Sequence, residues 1–120
     1  MEPLNEHILQ SLPRLNANGG EDPTAHLKYF GPDSAMIWFA FEGQQEHGDC
    51  RFWGIRVDPN ESHWTYFTLR ELEDLRGPEG ERVRRDETFT PRPLSTLMEL
   101  RDYITVVPDR ETGDDVHRHP

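Results

Sequence analysis

The alternation of apolar and polar positions is strongest in the middle of the chain. Residues 35–41 read Ala-Met-Ile-Trp-Phe-Ala-Phe. A period of two sends Met36, Trp38 and Ala40 to one face and Ile37, Phe39 and Phe41 to the other. Both faces are apolar, so this strand is placed centrally, with cover on both sides. Residues 51–57 form the return strand, with Trp53, Ile55 and Val57 on one face and Phe52, Gly54 and Arg56 on the other. The acidic stretch 42–49 between them is expected as a hairpin loop. A turn at Asp58-Pro59-Asn60-Glu61 leads to a third strand, His63 to Phe67. Upstream, His26 to Phe30 is a short strand between a loop at 16–23 and a turn at 31–34.

Helical spacing shows in three places. Leu4, Ile8 and Leu12 share one face of a helix that Pro13 stops or kinks. Thr68-Leu69-Arg70-Glu71 is a capping box: the Thr68 hydroxyl can accept from the Glu71 N–H, and the Glu71 carboxylate from the Thr68 N–H. Leu69, Leu72 and Leu75 supply the buried stripe, and Gly77-Pro78 ends the helix. Ser95 is the N-cap expected for a last helix carrying Leu97, Met98, Leu100 and Ile104. Residues 82–89 read as a further strand or extended arm, and Pro91 and Pro93 keep their surroundings extended. Together these patterns predict a single α+β domain over residues 1–107. Its antiparallel β-meander has three to five strands and is packed with two or three helices. A polar, aperiodic, acidic tail, residues 108–120, is expected to be disordered.

Composition narrows the class. A chain of 120 residues supports one domain and needs no disulfide or metal to fold. Apolar residues are only 33% of it, but six Phe, three Trp and three Tyr bury large areas each. No apolar run approaches the roughly 20 residues of a membrane-spanning helix. The segment Met1-Glu2-Pro3-Leu4-Asn5-Glu6 lacks the basic-then-apolar order of a signal peptide. Cys50 is the sole cysteine, which excludes an intrachain disulfide and fits a cytoplasmic location. Thirteen Lys and Arg against 23 Asp and Glu give a net charge of −10. That charge opposes adhesion to nucleic acid or anionic lipid and favours a protein partner with a basic surface. Residues 21–50 carry six acids against Lys28 alone, half of the excess.

Several short motifs recur together in order: Asp22-Pro23, Lys28-Tyr29-Phe30-Gly31-Pro32, Phe52-Trp53-Gly54, and Tyr66 to Glu73 followed by Arg76-Gly77-Pro78-Glu79-Gly80. Arg85-Asp86, Phe89, Pro91, Pro93 and Leu94-Ser95 complete the series. In these residues the stretch from Leu12 to Leu97 resembles the bacterial domain of unknown function 2958 family. The resemblance implies a protein carried by plasmids, phages and other mobile elements. It implies no reaction and no catalytic residue. The acidic 42–49 segment and the extension past Leu97 depart from the family pattern.

Candidate chemistry is sparse. The six histidines show no zinc-ligand spacing. The acids at 42–49 and 58–61 fall at opposite ends of the meander and cannot form one carboxylate pocket. Neither a Gly-x-Ser-x-Gly elbow nor a phosphate-binding Gly-rich loop occurs. No metal, no cofactor and no catalytic residue are therefore expected, and an enzyme, a small hydrolase or nuclease, is the least favoured reading. Trp38, Trp53 and Trp64 fall one per strand and read as shared core or a contact patch rather than base-stacking platforms, because their region is acidic. Asp86 is placed to pin Arg76 or Arg85. The favoured reading is an interaction protein whose Glu42, Glu46 and Asp49 meet Lys and Arg of a partner, with Trp38 or Trp53 as anchor. Its best target is a nucleic-acid-handling host defence complex, an inhibitor of anti-CRISPR or anti-restriction type. The alternative is an accessory or regulatory module of plasmid or phage maintenance.

Overall fold

The computed structural model describes residues 10–16, 21–32 and 35–97, and the backbone of 104–106. Eight strands run in chain order: β1 Thr24–Ala25, β2 Leu27–Phe30, β3 Ile37–Glu46, β4 Asp49–Val57, β5 Ser62–Thr68, β6 Arg84–Arg85, β7 Arg92–Pro93 and β8 Ile104–Val106. A helix, α1, spans Leu69–Asp74 between β5 and β6, and a 3-10 turn spans Leu94–Thr96. Six strands form one sheet in the order β6-β2-β3-β4-β5-β8, and β1 pairs with β7 beside it. Every pairing is antiparallel except β5 with β8.

The period of two decides the layers. On one face of the sheet Leu27, Tyr29, Trp38, Ala40, Cys50 and Phe52 pack with Leu72 of α1 and with Leu12 and Val83. On the other face Phe39, Phe41, Ile55 and Val57 pack with Ala25 and Leu97, flanked by Phe89 and Leu94. β3 and β4 are thus covered on both sides, as their two apolar faces require. Phe41 is the extra residue of a bulge: Ala40 pairs with Gly54 and Glu42 with Trp53. A side chain at Gly54 would place its Cβ 1.8 Å from the Phe39 carbonyl oxygen, so only glycine lets β3 and β4 close at that point.

The capping box forms as its sequence requires. Thr68 Oγ1 accepts from the Glu71 N–H at 3.1 Å, and Glu71 Oε1 accepts from the Thr68 N–H at 3.0 Å. Leu72, 1% exposed, pins the helix to the sheet. Burying a leucine contributes about 2 kcal/mol. The helix nevertheless ends at Asp74, earlier than the leucine spacing suggests, because Leu75 turns to an extended conformation.

The architecture corrects the α+β expectation. The regular structure of the described residues is mostly strand, with one six-residue helix and a three-residue 3-10 turn beside it. Residues 10 and 11 are helical and Leu12 already bends away, while the earlier part of the expected N-terminal helix lies outside the described residues. Of the helix expected from Ser95 to Ile104, residues 98–103 lie outside the described residues, and its two ends are not α-helical as expected. Ser95 sits within the 3-10 turn, and Ile104 opens β8. The expected tail, 108–120, lies outside the described residues. The acidic hairpin loop is also corrected: β3 and β4 run through it, and only His47 and Gly48 turn. Both have positive φ, 51° and 79°, the conformation a tight two-residue hairpin demands.

Candidate interaction surface

The five residues singled out for partner contact do not share one surface. Trp38 and Trp53 are 6% and 7% exposed and stand on opposite faces of the sheet. Glu42 is fully buried, and its Oε1 accepts the Asn16 N–H at 2.7 Å. It stands in a strand because the bulge at Phe41 turns it inward beside Trp53. Glu46 and Asp49 close the β3–β4 hairpin as a pair and are half-exposed. Asp49 Oδ1 accepts from the Cys50 N–H at 2.7 Å and from the Arg70 N–H at 3.0 Å. Arg70 is the second residue of α1, so Asp49 neutralises an amide the helix leaves open.

That bond sets the hairpin tip against the start of α1, whose exposed Arg70 is followed by several solvent-facing acids. Beyond Asp49, α1 presents Glu71 and Asp74 to solvent and Glu73 in part. Glu79 and Glu81 follow, both exposed. Glu81 folds the turn behind the helix, its carboxylate accepting the Glu79 N–H at 2.8 Å and its carbonyl the Gly77 N–H at 2.8 Å. Arg76 is drawn back onto the helix end, donating to the carbonyls of Glu73 and Leu75. Asp86 pairs with Lys28 at 3.8 Å, not with Arg76 or Arg85 as expected from sequence. Lys28 is buried against the rings of Phe30 and Phe39, and the Asp86 carboxylate just past β6 reaches its ammonium.

Under α1 lies a cleft of about 660 Å³. Its floor is the sheet face carrying Met36, Trp38, Arg56 and Phe67. Its wall is α1 with Leu72 and Leu75, and Pro32, Gly77 and Pro78 close one end. Leu75, at 40%, is the exposed large hydrophobic residue among the described ones, and it stands on this rim. Arg56 and the cleft were not singled out from the sequence. The signal was present: Arg56 shares its strand face with Phe52 and Gly54, a charge at an inward position.

The tryptophans form no single platform. Trp53 and Trp64 stack at 5.5 Å on one face, with Tyr66 tilted against Trp53 at 4.9 Å and the Arg51 guanidinium 4.0 Å from the Tyr66 ring. Trp38 lies on the other face. Cys50 is buried, and burial, reinforced by Asp49 and Glu46, pushes its thiol up to about 11, which disfavours the nucleophilic thiolate. His63 Nε2 lies 2.8 Å from Glu61 Oε1 and 3.4 Å from Asp58 Oδ2, closing the β4–β5 turn. Among the described residues no three His, Cys, Asp or Glu gather as metal ligands. No helix among them is long and apolar enough to cross a membrane.

The sequence model of a family described as protein of unknown function (DUF2958) matches residues 2–106. No curated protein and no solved structure matches the chain.

Proposed function

We propose, for a chain that belongs to the DUF2958 family, that it acts by protein–protein contact and inhibits a nucleic-acid-handling defence complex of the host. The observation that carries this reading is the set of solvent-facing acids Glu46, Asp49, Glu71, Glu73, Asp74, Glu79 and Glu81, seven against the exposed Arg70, Arg76 and Arg82 among them, on a chain of net charge −10. Complexes that hold nucleic acid display Lys and Arg channels, and a compact polyanion is steered to such a channel and can occupy it. The resemblance to proteins of mobile elements supplies the biological setting. The surface differs from the one the sequence suggested: Glu46 and Asp49 remain in it, while Glu42, Trp38 and Trp53 serve the core.

The test has two steps. The protein is cross-linked in a lysate of its host, the captured complex is identified and purified, and its nucleic-acid cleavage is measured with and without the protein. Inhibition that weakens between low and moderate salt, and that the variant E73K/D74K/E79K loses, is the expected result. Cleavage unaffected by a saturating excess of protein overturns the inhibitor reading. Inhibition retained by the triple variant at low salt overturns the acidic surface as its cause.

A further inference from the structure

We propose that the cleft beneath α1 binds a small organic carboxylate with an apolar or aromatic body, and that Arg56 is its anchor. The cleft shares Glu71 and Asp74 of its rim with the acidic surface, but its anchor does not belong to that surface and the proposal stands without it. The volume of about 660 Å³ lies within the range of small-molecule sites. Met36, Trp38, Phe67, Leu72 and Leu75 supply apolar wall, and such a wall with one fixed polar group is the usual composition of a ligand site.

Arg56 is that group. Its Nε is buried and meets no acceptor in the protein. A buried donor left in this way costs about 1–3 kcal/mol, and a guest that supplies an acceptor recovers part of it. The neighbouring acid, Asp58, feels the Arg56 charge but makes its hydrogen bonds elsewhere: its Oδ1 accepts the N–H groups of Asn60 and Glu61, both at 2.9 Å, and its Oδ2 faces His63. Across the strands Arg56 is flanked by Trp38 and His63, neither of which offers a carboxylate. A guanidinium in a partly dry cleft selects a planar two-oxygen acceptor above other anions.

The cleft also contains Glu71, Asp74 and Arg76. Both acids are exposed, and Glu71 already holds the Thr68 N–H. Arg76 offsets one of them from the helix end. A charge in water acts through an effective dielectric about four times that of a half-buried site, so the half-buried Arg56 decides the sign of the guest. Trp38 beside it gives the guest's body a flat aromatic neighbour.

Three probes of one shape test this: 3-phenylpropionate, 3-phenylpropanol and 3-phenylpropylamine, titrated into the 15N-labelled full chain. The expected result is saturable shifts of the Arg56 Nε–H and Trp38 indole resonances with the carboxylate, at an affinity about tenfold above the alcohol. R56Q should erase that difference while the rest of its spectrum stays dispersed, and R56K should keep part of it. Equal binding of all three probes, preference for the amine, or no shift at Arg56 overturns the proposal. The comparison of probes on the unaltered chain decides it even where R56Q does not fold, and a cleavage assay showing no inhibition leaves it untouched.

Discussion

Asp22 and Ser95 stand 73 residues apart, and the carboxylate of the first holds the second with both oxygens. Ser95 donates its N–H to Oδ1 and its hydroxyl to Oδ2, each at 2.8 Å. The Leu94 N–H meets the Pro23 carbonyl at 2.8 Å, and Thr24 pairs with Pro93. Two segments far apart in sequence are thereby clipped together over the second core, where Leu94 and Leu97 pack. Asp22→Ala should cost about 1–2 kcal/mol, since a charged acceptor serving two donors is lost at an exposed site. Asp22→Asn should cost less. Thermal unfolding gives the size, and hydrogen exchange at Leu94 and Ser95 should quicken before the rest of the sheet. Unchanged exchange there would show that the clip carries no stability.

This clip explains what was readable in the sequence. Asp22-Pro23 and Leu94-Ser95 stood out as motifs, yet nothing in their spacing paired them, because side-chain bonds over 73 residues leave no periodic trace. Elements with local logic were legible. The strand faces of Met36 to Phe41 and Phe52 to Val57 and the Thr68–Glu71 box form as the pattern requires. The hairpin 42–49 was misjudged because polar residues at strand positions look like loop. Only the bulge at Phe41 and the positive φ of His47 and Gly48 reveal that the strands continue. Ser95 was misjudged because its hydroxyl serves Asp22 rather than a helix of its own. The cleft was invisible because it joins β3, β4, β5 and α1, elements whose relative placement no local pattern encodes.

Acid should loosen the β2–β6 edge through Asp86. Burial opposes ionisation of this carboxyl, but the hydroxyl and N–H of Thr88 and the charge of Lys28 outweigh it and hold it below the ordinary carboxylate range. A lowered folded value means the unfolded chain binds the proton more readily, so stability falls with falling pH. The contribution is complete above about pH 4, the ordinary aspartate value, and is lost as pH drops through the lower folded value. Asp58, lowered chiefly by the Glu61 and Asn60 N–H groups, acts in the same direction. Melting temperature followed from pH 5 to pH 2 should therefore decline less steeply for Asp86→Asn than for the unaltered chain. Parallel curves would remove Asp86 from the acid response.

Gly54→Ala should be among the most damaging single changes in the sheet. Its Cβ would stand 1.8 Å from the Phe39 carbonyl oxygen and 3.1 Å from the Ala40 Cα, both backbone atoms that no rotamer change can move. β3 and β4 would have to separate in the middle of the sheet, a loss expected to exceed about 3 kcal/mol. Gly48→Ala meets nothing within 4 Å and suffers only the strain of φ 79°, about 1 kcal/mol. Denaturant melts of the two variants side by side give the comparison, and a similar cost for both would contradict the closeness of the strands at Gly54.

The strongest contrast between core and surface acids is Glu42 against Glu46. Glu42 is wholly enclosed, paired across the strands with Trp53 and bonded to the Asn16 N–H at 2.7 Å. Lysine at this position brings a longer side chain and a positive charge into a site built around a carboxylate, and leaves the Asn16 N–H without its acceptor. A stranded N–H costs about 1–3 kcal/mol and an enclosed, unpaired ammonium costs more, together a large share of the roughly 5–15 kcal/mol that holds a domain. Glu42→Lys should thus unfold readily or accumulate poorly. Glu46 is half-exposed at the hairpin end, beside Asp49. Reversing it replaces a like-charge neighbour with an opposite one, and stability should change by less than about 0.5 kcal/mol. Circular dichroism melts of the two variants settle which acids build the fold and which face a partner. A stable Glu42→Lys chain with unchanged melting would return Glu42 to the surface and restore the acidic loop the sequence suggested.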